Sequence, residues 1–342
     1  MNANLMLVID RRETELTLDG HALRVAFPGA NPRHIPLGLL GLVVVYGRAL
    51  VGCDVWRALA ERQIPAVLQP GRGRGTCAWI GAALGATVSL RTAQHRAADR
   101  PDLSLSIARR LVAAKITAQA DATARLLVPA DPAGARQVLC RAQSSALARV
   151  EQAQTTAELM GIEGAAAAAW FHWLTLWLPP AWNFHGRNRR PPRDPVNALL
   201  SLGYTLLGGD MLGAVQQQGL DPARGLLHGL VPGRESLVLD LIEPLRPSVD
   251  LVILGLLDSV LVPADFTSSA EDGCRLSKEA RGRFYEAWAL ARQDWPDLQT
   301  AASGEVGQGV VGLQQLCRRQ TDFLRHDLTP LMPTLDDSDA DN

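Results

Sequence analysis

The sequence predicts an α+β chain, with a small N-terminal β-rich domain over residues 1–95, a larger all-α domain over 96–334 and an acidic disordered tail over 335–342. Three observations carry this reading. Before residue 95, apolar residues alternate with polar ones or come in short valine-rich runs, the two signatures of strands. From residue 103 onward they recur at helical spacing, interrupted by glycine and proline. The last seven residues hold four aspartates and no base, a composition with nothing to bury.

Taken in order, residues 5–9 form a short apolar run, and residues 13–18 alternate. Asp19-Gly20 then signals a hairpin, and residues 22–27 alternate again. Residues 40–46 read as a buried valine-rich strand, 55–63 as a helix and 65–68 as a further strand. Helical spacing marks residues 103–127, 147–159, 163–178, 195–207, 237–243, 249–260 and 278–292. No internal repeat is visible. The glycine loop 71–75 lacks the GK[ST] ending of a phosphate-binding loop and reads as a turn.

Charge and cysteine usage narrow the classes. Formal net charge is −1, and without the four terminal aspartates the body stands at +3, so the total announces no nucleic-acid partner. Nearly all bases are arginine, with lysine only at Lys115 and Lys278. Arginine forks suit phosphate oxygens, but a GC-rich genome gives the same bias. The five scattered cysteines form no CxxC and suggest neither a zinc knuckle nor a disulfide framework. No secretion signal is visible, so a reducing cytoplasm is expected. The apolar runs at 35–47, 164–178 and 251–262 fall short of the roughly 20 residues that span a bilayer, so no membrane partner is expected.

Four features could carry chemistry. Glu163 stands in Leu159-Met160-Gly161-Ile162-Glu163-Gly164 before five alanines and Trp170. It is read as lying in the first turn of a helix, where the helix dipole alone would favour it. His228, between apolar neighbours in Leu227-His228-Gly229, has an ordinary reading as a core histidine. Asp240 and Glu243 share one helical face, with Pro244 kinking or restarting the helix and Arg246 placed to pair with Glu243. Together Glu163, His228 and Glu243 offer two carboxylates and an imidazole, donors that suit Mn²⁺ well and Mg²⁺ acceptably. The fourth feature is the basic loop Arg187, Arg189, Arg190 and Arg193 around Pro191-Pro192, which reads either as a clamp on a DNA backbone or as a solvated charge run.

An ordered set of motifs over about residues 110–325 resembles the CRISPR-associated integrase family, the first and most widespread Cas protein. The set begins with Ala114-Lys115-Ile116 and Gln119, then 159–164, Pro191-Pro192 and 194–201 with Asn197. Gly203-Tyr204, His228 and Ser236-Leu237 follow, leading to Asp240, Glu243 and Arg246-Pro247. Asp265-Phe266-Thr267, Asp272-Gly273, Leu276-Ser277 and Arg319-Gln320 complete it. N-terminal to these, the match rests only on the β-then-helix layout.

The resemblance implies that the all-α domain is catalytic, that the chain is a homodimer, and that Glu163, His228 and Glu243 bind Mg²⁺ or Mn²⁺. It makes Asp240 an acidic neighbour of the last ligand, with Asn197, Tyr204 and Arg246 in support. It departs from the family at Trp170, where a tyrosine is usual. The implied reaction is transesterification, joining the 3′-hydroxyl ends of short DNA fragments into a repeat array. The implied partners are fragment and repeat DNA, branched DNA included, and a small second adaptation protein bridging two dimers. The N-terminal β domain, residues 1–95, rather than the catalytic domain, is expected to make the main dimer contact, since its apolar strand near Val43–Val45 and its short alternating strands offer surfaces that one small sheet cannot bury alone. Two rivals remain: a stand-alone branched-DNA nuclease and a DNA-binding scaffold with a dead metal site.

Overall fold

A computed structural model describes residues 5–70, 77–80, 88–126, 134–188, 191–269, 271, 273–298 and 311–332. The acidic tail, the glycine loop 71–75, Asp272, Arg189 and Arg190 lie outside the described residues.

The N-terminal part is built from two four-stranded sheets. β1 (Leu5–Ile9), β5 (Leu40–Tyr46), β7 (Ala66–Gln69) and β8 (Ala78–Ile80) lie side by side in that order; β1, β5 and β7 are parallel and β8 is antiparallel. The second sheet runs β4 (Arg33–Pro36), β3 (Ala22–Ala26), β2 (Glu15–Asp19) and β6 (Leu50–Val51). The expected hairpin is present: Asp19 pairs with Ala22, and Gly20 takes the positive φ of 58° that so tight a turn requires. The crossover from β5 to β7 includes α1 (Cys53–Glu61).

Strand alternation explains why β5 is apolar at every position. Leu42 and Val44 face the helices, while Val43 and Val45 face a smaller core with Leu16, Leu23, Val55 and Leu59. The strand near Val43–Val45 is therefore consumed by this chain's own two layers, at 0% to 6% exposure. It offers no apolar surface to a partner; in this N-terminal part the exposed apolar side chains are instead Leu5, Leu39 and Leu50.

The helical part comprises α2 (Val88–Ala98), α3 (Pro101–Arg125), α4 (Ala135–Gln152), α5 (Thr156–Trp177), α6 (Pro195–Gln217), α7 (Ser236–Ile242), α8 (Arg246–Leu256), α9 (Lys278–Ala291) and α10 (Leu313–Leu328). A short hairpin of β9 (Phe266–Ser269) and β10 (Gly273–Leu276) precedes α9. Central to the bundle is α6. It is long and apolar enough to cross a membrane, but 78% of its apolar window is buried inside the protein, the mark of a core helix. Its glycine face lets the first sheet approach: a Cβ on Gly209 would lie 2.5 Å from Val67, and Trp79 Nε1 donates to the Thr205 carbonyl at 3.2 Å. The sheet and the bundle thus share one continuous core.

Several sequence-based boundaries move. The expected helix at 147–159 is broken: α4 ends at Gln152, and the Thr155 hydroxyl accepts from Glu158 N at 3.1 Å to start α5. Because α5 begins there, Glu163 lies two turns inside the helix, and the reading that placed it in the first turn is wrong. Helix α6 runs ten residues beyond the expected 207, to Gln217. Helix α2 straddles residue 95, and neither it nor α10 is visible as an uninterrupted apolar pattern.

Candidate active site

The site gathers side chains from three segments around a buried cation. Lys115 is the unusual element: a lysine on the inward face of α3, with its side chain only 8% exposed. Small residues bring α5 close enough for contact. Ala108, Val112 and Ile116 of α3 pack in one cluster with Leu159, Ile162 and Ala166 of α5. Of the alanine run following Glu163, Ala166 serves the approach of the two helices, while Ala165 and Ala168 are exposed. Lys115 Nζ donates to Glu163 Oε1 and, at 2.5 Å, to Glu243 Oε2. Two carboxylates on one ammonium must lie within about 6 Å of each other.

Glu243 reaches this point through a local change of helix type. Pro244 supplies no N–H, and the chain tightens from α7 into a 3-10 turn at Glu243–Leu245 before α8 begins. Three-residue spacing is nearly eclipsed in such a turn, so the expected pairing forms: Arg246 Nε lies 2.9 Å from Glu243 Oε1. Burial, the largest influence on Glu243, pushes its pKa up. Arg246, Lys115 and His228 together outweigh it and hold the value down at about 2. Glu243 is therefore an anion at every physiological pH.

His228 lies on the loop between α6 and α7 and is fixed by Asp240. Fully buried on α7, Asp240 accepts from the backbone N–H of Leu226, Leu227 and His228 at 2.6, 2.9 and 2.9 Å. Its Oδ1 also lies 2.6 Å from His228 Nδ1. An acceptor there assigns the imidazole proton to Nδ1 and leaves the Nε2 lone pair for another task. The loop is pinned from outside as well. Gln94 of α2 bonds Asp221 N, Asp221 O and Arg224 O, and Ser104 of α3 donates to Leu226 O. Next to His228, Leu227 joins the α3–α5 core.

The three expected ligands are thus divided. Glu163 and Glu243 are brought together, but through Lys115. Among the described residues, no three His, Cys, Asp or Glu side chains are gathered so as to hold one ion. The donor chemistry still fits a hard divalent cation: one oxygen from each of two carboxylates meets at a single cationic point, with Arg246 on the other oxygen of Glu243, and an imidazole is oriented by a carboxylate. In the sequence Lys115 stands out only as part of a motif. The signal that could have singled it out was present, a rare lysine flanked by Ala113, Ala114 and Ile116.

The supporting residues form a wall behind Glu243. The ring of Tyr204 lies beneath Arg246 and Arg187, 4.6 and 5.5 Å from their guanidinium carbons. Its hydroxyl bonds Asp250, which also accepts from Trp170 Nε1 at 2.8 Å. Burial pushes the Asp250 pKa up to about 6, despite the opposing bonds from Tyr204 and Trp170. Trp170 is fully buried here, a core donor to Asp250.

The arginine loop resolves unevenly. Arg187 is half-buried and points inward, with NH1 on Asn197 Oδ1 at 2.7 Å and NH2 on Ser201 at 3.2 Å. It braces the loop from within, unlike the surface arm the sequence suggested. Buried Asn197 holds Asn188 N and the Gly186 carbonyl, while Arg193 is exposed.

Comparison with known proteins gives a consistent picture. The family described as CRISPR associated protein Cas1 matches residues 7–289. A CRISPR-associated endonuclease Cas1 of Rhodospirillum rubrum is 36% identical over 287 residues, covering 80% of this chain and 82% of its own. One from Chlorobaculum tepidum is 31% identical over 296 residues, with 84% and 86% covered. Among solved structures, a CAS1 protein from Thermotoga maritima superposes with a TM-score of 0.79 at 20% identity, over 97% of this chain and 100% of its own. A casposase bound to an integration product superposes at 0.78 and 20% identity, over 98% and 94%. These last two show the shared fold, a strand-rich N-terminal part followed by a helical bundle. With a family match over most of its length and relatives above 30% identity across most of both chains, this protein belongs to the CRISPR-associated Cas1 family.

Proposed function

We propose that the chain is a metal-dependent DNA nuclease and integrase of CRISPR adaptation, working in the cytoplasm as a homodimer. The observation that carries the reading is the pairing of Glu163 and Glu243 around one cation, beside an imidazole whose Nε2 is left available. The relatives named above are called endonucleases, which supports phosphodiester chemistry. Glu163, Glu243 and His228 Nε2 would hold Mn²⁺ or Mg²⁺. Such an ion supplies polarisation of a phosphodiester and a lowered pKa for the attacking hydroxyl. Asp240 fixes the imidazole, and Arg246 keeps Glu243 anionic and oriented. In joining, a fragment's 3′-oxygen forms a bond to phosphorus in the repeat while the bond to the repeat's own 3′-oxygen breaks, so the number of phosphodiesters is conserved. Partners would be the fragment ends, the repeat duplex or branched DNA, and a second small adaptation protein. Complexes that include Cas2 are among the structures sharing this fold.

The test uses fluorescent fragment DNA, a repeat-bearing plasmid, the purified chain and its small partner protein, with Mn²⁺ or EDTA. Metal-dependent joined strands are expected. Glu163→Gln, His228→Ala and Glu243→Gln should each lower the rate by a hundredfold or more, roughly the loss when several kcal/mol of charge stabilisation is withdrawn. Cleavage of branched DNA without joining would assign a stand-alone nuclease. DNA binding without either activity would leave a scaffold.

A further inference from the structure

We propose that Lys115 is an internal counter-ion that keeps Glu163 and Glu243 together in the metal-free protein and competes with the divalent cation for their oxygens. The inference rests on the metal reading above and adds a residue that sets when the site loads. Four observations converge on it. Lys115 Nζ touches both carboxylates at once, in the arrangement a bound cation would require. The Lys115 and Glu243 side chains are each only 8% exposed, so without the ammonium the buried Glu243 would face the neighbouring Glu163 carboxylate with Arg246 as its one remaining direct ion pair. Lys115 lies on α3, whereas the carboxylates lie on α5 and on the turn between α7 and α8, so its bonds tie three segments together. Finally, Glu163 is the most open of the three at 23% exposure, giving an entry side for an ion and an exit for a flexible four-carbon stem.

The competition has a definite sign. An ammonium and a divalent ion cannot share the same two oxygens, because like charges a few Å apart repel strongly in a partly dry site. Loading the metal therefore requires Lys115 to move away, and the work of moving it weakens the apparent affinity. The same bonds stabilise the empty site, so the ligands do not have to be gathered from a collapsed or splayed state. Lys115 is a positioning residue in this account.

The experiment measures binding and unfolding on the full chain, apart from catalysis. Mn²⁺ affinity is read by calorimetry and thermal midpoints are read in EDTA and in Mn²⁺, for the parent, Lys115→Met, Lys115→Gln, Lys115→Arg, Glu163→Gln and the Lys115→Met/Glu163→Gln double variant. Lys115→Met and Lys115→Gln should bind Mn²⁺ about tenfold tighter or more, since a competing like charge is gone. Both should melt lower than the parent in EDTA and recover in Mn²⁺. Lys115→Arg should stay near the parent in both, and the double variant should regain part of the EDTA stability. If Lys115→Met does not fold, the Gln and Arg variants carry the same comparison. Parent binding that depends on Glu163, with affinity unchanged or weakened in the neutral variants, overturns the counter-ion and leaves the metal reading standing. No Mn²⁺ binding by any variant, with Glu163→Gln indistinguishable from the parent, overturns the metal reading and the inference with it.

Discussion

Replacing Asp240 with asparagine exchanges one oxygen for an amide nitrogen of nearly equal size, and the structure specifies what that exchange disrupts. Asp240 is fully buried and accepts four bonds, two on each oxygen: His228 N and Nδ1 on Oδ1, Leu226 N and Leu227 N on Oδ2. An amide has only one acceptor atom. If nitrogen replaces Oδ2, two backbone N–H groups face a donor. If it replaces Oδ1, His228 N is left without its acceptor and Nδ1 must accept, which moves the imidazole proton to Nε2, where a metal would bind. The first orientation loses two bonds to a charged acceptor outright; the second loses one and exchanges the other for a reversed bond that carries the wrong tautomer. At roughly 1.5–3 kcal/mol for each bond lost, the cost is about 1.5–6 kcal/mol. That is a large part of a total stability on the order of 5–15 kcal/mol. Urea denaturation in EDTA should show this loss, and calorimetry should show Mn²⁺ affinity falling about 10–100-fold, the usual effect of removing a ligand's orienting partner. An asparagine variant with the parent's urea midpoint and the parent's Mn²⁺ affinity would refute the claim that Asp240 organises the His228 loop.

Asp250 makes stability fall as pH rises. Its folded pKa is raised to about 6 from the usual 3.8. Its favourable contribution is therefore complete below the lower value and fades as pH passes through the upper one, a change of about 3 kcal/mol. Asp250→Asn should flatten that slope in urea titrations between pH 4 and 7, and an unchanged slope would place the titration elsewhere. Gly209→Ala pushes a methyl to within 2.5 Å of Val67 and should destabilise the packing of sheet on bundle by about 1–3 kcal/mol, read as a lower thermal midpoint. For the basic loop, neutralising Arg189, Arg190 and Arg193 together should flatten the salt dependence of duplex DNA affinity by roughly 0.9 for each phosphate that is no longer neutralised. Arg187→Ala should instead lower stability, because that side chain is committed to Asn197 and Ser201. A parent-like salt titration for the triple variant would mark the loop as plain solvated surface.

The sequence alone determined whatever depends on local periodicity and short-range geometry. Strands β1 and β5 fall on the residues their apolar runs mark, and Asp19-Gly20 turns the hairpin. Pro244 interrupts α7, and Glu243 pairs with Arg246, because proline's missing N–H and three-residue spacing act within one turn. Tertiary structure decided the rest. Helix α5 starts at Thr156 because Thr155 caps it, and the weaker apolar pattern of 147–159 could not reveal that break. β5 is apolar on both faces because two layers of its own chain cover it, which a single strand's composition cannot distinguish from a surface awaiting a partner. Arg187 belongs to a charge run in the sequence, yet Asn197, ten residues on, draws it inward. Lys115 meets Glu163 and Glu243 across 48 and 128 residues of chain. No local pattern encodes such a meeting, because the packing of α3 against α5 and the turn before α8 brings the three charges to one point.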